Sequence, residues 1–290
     1  MSSTKPNTLE RLHKRSISAK DIANQFWCEK QVELSYLHGF PPTKAMDKGS
    51  AMHQQMQVEV YRELPVEPET YSDRMYRTAY ENLATLKTLS DNGMARELKI
   101  YGSVNGYSIV GQIDELKIRD GKVIIVENKT TSGSGSINPL FARPHIVQVM
   151  LYRKMLEDIV TGKYAFRNMD ASYKLAQMRL SESFGKGLRE IGIKDDMLGV
   201  AAIYGKMFDA ILRMPELSST TLVHYISRDT GQAVSDMEVE YDEGKINADI
   251  ISAMKYWTGE REAMPVPEEE KWKCRVCRFF GSKCTVWWTG

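Results

Sequence analysis

The stretch Tyr107-Ser-Ile-Val-Gly111-Gln-Ile-Asp114-Glu-Leu-Lys-Ile-Arg-Asp120-Gly121-Lys-Val-Ile-Ile-Val-Glu127-Asn-Lys129 decides how this chain folds. Two runs rich in β-branched residues meet at Asp120-Gly121, a dipeptide suited to a tight hairpin turn in which both central residues take positive φ. Upstream, Glu97 to Val104 leads into Tyr107 through Asn105-Gly106, a dipeptide of the same kind. The pattern reads as a meander of three antiparallel strands: Glu97 to Val104, Tyr107 to Arg119 and Lys122 to Thr130. Strand side chains alternate between faces, so Val123, Ile125, Glu127 and Lys129 share one side. Asp114 shares a face with Val110, Leu116 and Ile118. A register through Asp120-Gly121 can bring it near Glu127, although the pattern does not fix that register to one residue.

Working outward, Asn138-Pro139 or Arg143-Pro144 offers a helix start, and the apolar pattern runs on to Val160 with Gly162 just beyond. Gln148 and Tyr152 are four residues apart and fall on one face of that helix. His53 lies in a helical stretch from about Asp47 to Tyr61. Helical spacing recurs from about Ala171 to Met214. Thr221 to Arg228 and Ala233 to Tyr241 read as two further strands that extend the sheet, and Ile246 to Trp257 as another helix.

Two carboxylates and a lysine at the ends of paired strands suit phosphodiester hydrolysis. Hard oxygen ligands holding Mg²⁺ or Mn²⁺ activate water and offset charge on the phosphate. Asp114 and Glu127 are the candidate ligands, with the backbone carbonyl of Asn128 between Glu127 and Lys129 and the neutral imidazole of His53 as additions. Lys129 is placed to orient or deprotonate the water or to neutralise charge. Each signal is common by itself: a strand Asp and Glu are usually solvated or paired, and a helical His is usually packed. Their chain order on matching elements, together with the cysteines, sets this sequence apart.

Cys28 stands near the start, and Cys274, Cys277 and Cys284 cluster near the end as C-x2-C-x6-C. The first residues lack the apolar core of a secretory signal, which points to a reducing compartment and away from disulfides. Spacing alone leaves structural zinc and a [4Fe-4S] cluster both open. The aromatic surroundings (Trp27, Trp272, Phe279, Phe280, Trp287 and Trp288) favour a shielded cluster, with plain packing as the alternative.

With these residues in view, the chain resembles the exonuclease V family, iron–sulfur nucleases in the RecB-like branch of the PD-(D/E)xK superfamily. The resemblance rests on Phe26-Trp-Cys28-Glu, Lys48-Gly-Ser-Ala-Met-His53, Arg96-Glu-Leu leading to Gly111-Gln-Ile-Asp114, Glu127-Asn-Lys129-Thr, Gln148-Val-Met-Leu-Tyr152 and Trp272-Lys-Cys274-Arg-Val-Cys277. It covers nearly the whole chain. It implies an α/β fold: a PD-(D/E)xK, restriction-endonuclease-like core with a mixed central sheet flanked by helices, and an iron–sulfur cap joining the two ends. The segments would be about residues 1–45, a core of about 46–260 with a helical insertion near 165–215, and about 261–290.

By the same resemblance His53, Asp114, Glu127 and Lys129 match metal-binding and catalytic positions, Gln148 and Tyr152 the last nuclease motif, and Cys28, Cys274, Cys277 and Cys284 the cluster ligands. The implied activity is 5′-end degradation of single-stranded DNA to short oligonucleotides. Six residues separate Cys277 from Cys284 where about five are implied, and Gly281-Ser282 offers room for the extra one. Alternatives from other classes are a non-catalytic iron–sulfur or zinc nucleic-acid-binding subunit of a repair assembly, and an RNA-processing nuclease.

Composition agrees with these expectations. The chain has 290 residues, enough for a full core in one domain with a small cap. Lys and Arg total 39 against 38 Asp and Glu, so no global charge draws nucleic acid and any binding is local. Candidate contacts are Arg11, Lys14, Arg15 and Lys20 before Cys28, and Lys271, Lys273, Arg275, Arg278 and Lys283 around the later cysteines. A solvated surface opposed by Glu268-Glu269-Glu270 is the bland alternative. No apolar run is long enough to span a membrane. Ser132-Gly-Ser-Gly-Ser136 lacks the Gly-Lys-Ser/Thr ending of a phosphate-binding loop, so unwinding would fall to a separate helicase, and a single-strand-binding protein is a further expected partner. A monomer is expected, in nucleus or mitochondrion.

Overall fold

The computed structural model describes residues 7–40, 64–131 and 139–287, with residues 139 and 140 described by backbone alone. The expected helix around His53 and the Ser132–Ser136 loop lie outside the described residues.

The meander forms as expected, as β2 (Met94–Val104), β3 (Tyr107–Arg119) and β4 (Lys122–Thr131). Its turns carry positive φ at both central residues, 50° and 82° at Asn105 and Gly106 and 52° and 74° at Asp120 and Gly121. This is the conformation that matches the natural twist of paired strands. The late strands β5 (Thr220–Ser227) and β6 (Ala233–Glu240) do extend the sheet: β5 runs parallel to β4, and β6 antiparallel to β5. A short strand not expected from the sequence, β1 (Ile17–Ser18), pairs parallel with β3 and completes a mixed six-stranded sheet.

One edge of β3 is shared by two partners. β1 meets it at Ile109 and Val110, whereas β4 pairs with it only from Glu115 to Arg119. Beyond Val126, β4 leaves β3 and continues beside β5. The sheet therefore forks at Asp114, and the gap is the foundation of the site described below.

Helices cover both faces. α1 (Thr8–Arg11) precedes β1, and α2 (Ala19–His38) follows it directly. Next comes α3 (Tyr71–Asn92). Neither α2 nor α3 was expected, yet their end signals are in the sequence. Ser18 caps α2; Thr70 and Asp73 form a reciprocal capping box; and Gly93 closes α3 in the left-handed region. Asp73 is buried and accepts from the Ser181 N–H and hydroxyl at 2.9 and 2.8 Å. Burial alone would raise its carboxyl, but the bonds from Ser181 and Thr70 hold it below the usual range.

α4 (Pro139–Val160) starts at the earlier of the two candidate prolines. Pro144 falls in its second turn, past the orphan N–H groups of the first, and so removes one bond of the helix ladder. Val147, Val149, Met150, Leu151, Leu156 and Ile159 are all buried, so this helix is apolar nearly all round and sits within the core. It packs against α2, the sheet, α7 (Val200–Leu212) and α8 (Glu243–Trp257). Between α4 and α7 lie α5 (Phe166–Tyr173) and α6 (Glu182–Glu190). The helical spacing read from Val200 to Ile211 is the face that α7 buries. Its side chains belong to the same continuous core as the sheet.

Candidate active site

The sheet fork and the middle of α4 bring together Asp114, Glu127, Lys129, Gln148 and Tyr152. Leu116 and Ile125 are direct partners across β3 and β4, so Asp114 and Glu127, two residues further toward the fork, point to the same face. Where the backbone ladder stops, the Asn128 N–H donates instead to Asp114 Oδ2 at 2.9 Å. That bond holds the open fork in register.

Glu127 is only 2% exposed. Its Oε1 accepts from Lys129 Nζ at 2.7 Å and from Gln148 Nε2 at 2.7 Å. Gln148 also accepts from Lys129 Nζ at 2.9 Å and donates to the Tyr152 hydroxyl at 2.9 Å. Glu127 Oε2, also buried, has no hydrogen-bond partner among the described residues. A buried carboxylate oxygen without a donor is costly, and a cation would satisfy it.

Burial pushes the Glu127 carboxyl up to about 7, opposed by Lys129 and reinforced by Asp114. Burial likewise lifts Asp114 to about 6, against the pull of Lys129 and the Asn128 N–H and with Glu97 adding to the rise. Two buried acids whose affinity for a proton is raised in a low-dielectric fork form a site starved of positive charge.

Gly111 begins this arrangement. A Cβ built on it would lie 2.7 Å from a ring carbon of Tyr152, which is 3% exposed. Gly111→Ala is therefore expected to displace the Tyr152 ring, at a cost of about 1–3 kcal/mol in urea unfolding. Activity should fall further than stability accounts for, since Tyr152 steadies Gln148 and Gln148 steadies both Glu127 and Lys129. Unchanged unfolding and rate would contradict this packing.

Two residues here carried no role in the sequence reading. His145 lies one turn before Gln148 on the same face of α4, and its Nδ1 is 3.0 Å from the Tyr225 hydroxyl. Burial and the nearby Lys129 push its imidazole down to about 3, so it stays neutral. The spacing His145, Gln148, Tyr152 was the available signal. Glu97 takes a φ of 62° within β2, rare for a side chain of this kind, and bonds to Gln112. Nothing in the local sequence announces that conformation.

All four cysteines are free thiols. They line one pocket with Trp27, Gln31, Phe280 and Trp287. The helical backbone of α2 breaks at Cys28 (φ −165°, ψ 113°). Gln31 Nε2 lies 3.4 Å from Cys277 Sγ. The six-residue spacing closes through a turn at Gly281, whose φ is 74° and whose N–H donates to the Cys284 carbonyl at 2.9 Å. Burial is the main cause that raises the Cys28 and Cys274 thiols. The two ends of the chain are joined here: Lys30 N–H donates to the Met264 carbonyl, and Met264 N–H to Glu29. Trp288 lies outside the described residues.

Four of the basic residues named as candidate contacts are held in ion pairs. Arg11 pairs with Glu33, Lys14 with Asp21, Lys271 with Glu268 and Lys273 with Glu270. Glu33 and Asp21 are largely buried, so Arg11 and Lys14 serve the fold, whereas the Lys271–Glu268 pair lies on the surface. Lys273 is buried against Trp27, and Trp27 in turn stacks on Phe141 at 5.2 Å between ring centres.

A family model described as "Exonuclease V - a 5' deoxyribonuclease" matches residues 7–122, 117–202 and 203–288. Exonuclease V of Danio rerio is 24% identical over 283 residues, covering 93% of this chain and 70% of that protein. A protein of Candida dubliniensis named "Exonuclease V, mitochondrial" is 41% identical over 70 residues, which are 24% of this chain and 11% of that protein. A crystal structure of SSO0001 aligns over 98% of this chain and 91% of its own, at 14% identity and a TM-score of 0.43.

Proposed function

Because this chain belongs to the exonuclease V family of 5′ deoxyribonucleases, we propose that it degrades single-stranded DNA from the 5′ end by metal-dependent hydrolysis on a PD-(D/E)xK core. The observation that carries the metal dependence is Glu127: one oxygen is held by Lys129 and Gln148, and the other is buried with no donor among the described residues, beside a second carboxylate on the same face.

Asp114 and Glu127 are the ligands for Mg²⁺ or Mn²⁺, with the Asn128 carbonyl and His53, which lies outside the described residues, as further donors. The bound cation supplies acidity to a water and offsets charge on the phosphate. Lys129, gripped by Glu127 and Gln148, presents its remaining donor capacity to the attacking water or a phosphate oxygen. Gln148 fixes Lys129 and Glu127 relative to one another, and Tyr152 fixes Gln148. The water oxygen bonds to phosphorus as the phosphorus bond to the leaving strand oxygen breaks.

The thiols of Cys28, Cys274, Cys277 and Cys284 are the proposed holders of a [4Fe-4S] cluster that ties the ends together. Among the described residues no three of Cys, His, Asp and Glu close around a single ion, while all four thiols face one apolar pocket. Trp27, Phe280 and Trp287 line the same pocket and would shield a cluster from solvent. We further infer action in the mitochondrion, the compartment in the names of the Candida relatives, on strands opened by a separate helicase and covered by a single-strand-binding protein. No helix among the described residues is long and apolar enough to cross a membrane.

The test is anaerobic purification followed by incubation with 5′-labelled DNA and RNA oligonucleotides. A brown protein with iron near four per chain is expected, releasing short DNA oligonucleotides with Mg²⁺ and none with chelator. An intact, iron-loaded protein that never cuts DNA would favour the binding-subunit reading. Faster cutting of RNA would replace the substrate, and a colourless zinc protein would remove the cluster.

A further inference from the structure

Lys20 stands where the forked sheet meets α2. β1 pairs with β3 at Ile109 and Val110, so the chain enters α2 along the edge of β3 that β4 has left. Ala19 closes on the start of the Gly111-x-x-Asp114 segment: a Cβ built on Gly111 would lie 3.4 Å from Ala19 Cβ. Lys20 follows in the first turn, its backbone N–H donating to Ser18 Oγ at 3.1 Å, its side chain exposed. The position is fixed by sheet pairing and is not a loop accident.

Lys20 therefore stands beside a segment tied to the acids, since Gly111 lies against the Tyr152 ring and the Tyr152 hydroxyl accepts from the Gln148 that bonds Glu127. Among the described residues it nevertheless makes no side-chain hydrogen bond or ion pair. Arg11 and Lys14, its companions in the sequence, are both held by carboxylates. Lys20 thus keeps its charge available in the first turn of α2, beside the Gly111-x-x-Asp114 segment.

We propose that Lys20, at the amino end of α2, binds a phosphate of the DNA strand next to the one being cut. This rests on the nuclease reading above and names one further phosphate contact of that site. The scissile group is served by Lys129 and the acids, whereas Lys20 is exposed beside them and meets the neighbouring position along the strand. The ligand is either an internal phosphodiester or the terminal 5′-phosphate, which share the same anionic oxygens.

The experiment compares the iron-loaded wild type with Lys20→Ala and Lys20→Arg on oligonucleotides bearing a 5′-phosphate or a 5′-hydroxyl. Binding is measured in an Asp114→Asn background over a range of salt. Lys20→Ala is expected to lower kcat/KM about tenfold, as for a lost hydrogen bond to a charged group. It should also reduce the slope of log affinity against log salt by about 0.7, one phosphate contact on a single strand. Lys20→Arg should restore most of both. Loss confined to 5′-phosphorylated strands places the terminal phosphate at Lys20; equal loss on both places an internal one there. An unchanged salt slope overturns the proposal, including the case in which only the pH profile moves and Lys20 merely tunes the acids. If Asp114→Asn itself still degrades DNA, the nuclease reading fails instead.

Discussion

Glu127→Gln is expected to reduce metal-dependent DNA degradation by on the order of 10³-fold or more, because it removes a charge worth several kcal/mol of cation binding and transition-state stabilisation. The substitution keeps the volume and still accepts from Gln148, so the loss isolates the charge of the orphan oxygen. A variant that degrades DNA at the wild-type rate in saturating Mg²⁺ would remove Glu127 from the metal site.

The same substitution has a signature in stability. In the metal-free fold Glu127 is raised to about 7 and Asp114 to about 6, above the carboxylate values of the unfolded chain. Between those limits the folded state binds more protons than the unfolded state, so stability is greatest at low pH and falls as pH rises through about 4 to 7. For Glu127 the fall is on the order of 2 kcal/mol. Urea unfolding with chelator at about pH 5 and about pH 8 should show that fall in the wild type and a shallower one in Glu127→Gln. Added Mg²⁺ should recover stability mainly at the higher pH, since cation and proton compete for the same oxygens. A wild-type stability that rises over this range without metal would mean that the acids are not buried together.

Much of this site was legible in the chain because the information is local. Asn105-Gly106 and Asp120-Gly121 fix both turns, and the two-residue period then puts Glu127 and Lys129 on one face without tertiary knowledge. The four-residue spacing does the same for Gln148 and Tyr152. What stayed hidden depends on the fork. The pairing of Ile17 and Ser18 with β3 joins segments distant in sequence, and a two-residue strand has no periodicity to detect. Lys20 stands among the basic residues read as candidate contacts before Cys28, but its place beside the fork follows only from that pairing. The strain at Glu97 and the neutral His145 are likewise products of neighbours contributed by β3 and β5. The charge counts by themselves also do not say which carboxylates lie within reach of the basic clusters. Arg11 and Glu33, far apart in sequence for a helical pair, meet only once α1 and α2 have folded together.

Lys129→Met should cost 10²- to 10⁴-fold in kcat near neutral pH, roughly the range for a positioned proton-transfer or charge-stabilising group. Two effects add here, and pH separates them. Lys129 opposes the burial that raises Glu127 and Asp114. Without it both carboxyls rise further, so a larger fraction is protonated at neutral pH and fewer sites accept a cation. The acidic limb of the pH–rate profile should therefore move to higher pH, and alkaline buffer with added Mg²⁺ should recover that part of the loss. The remaining part is positional, because methionine gives neither Gln148 nor a phosphate oxygen a donor. Lys129→Arg divides them the other way: its charge should keep the acidic limb near the wild-type position, while the planar fork cannot reproduce a single ammonium shared between Glu127 and Gln148. An unshifted limb in Lys129→Met would show that the lysine does not govern the acids. A rate fully restored at alkaline pH would show that it does nothing else.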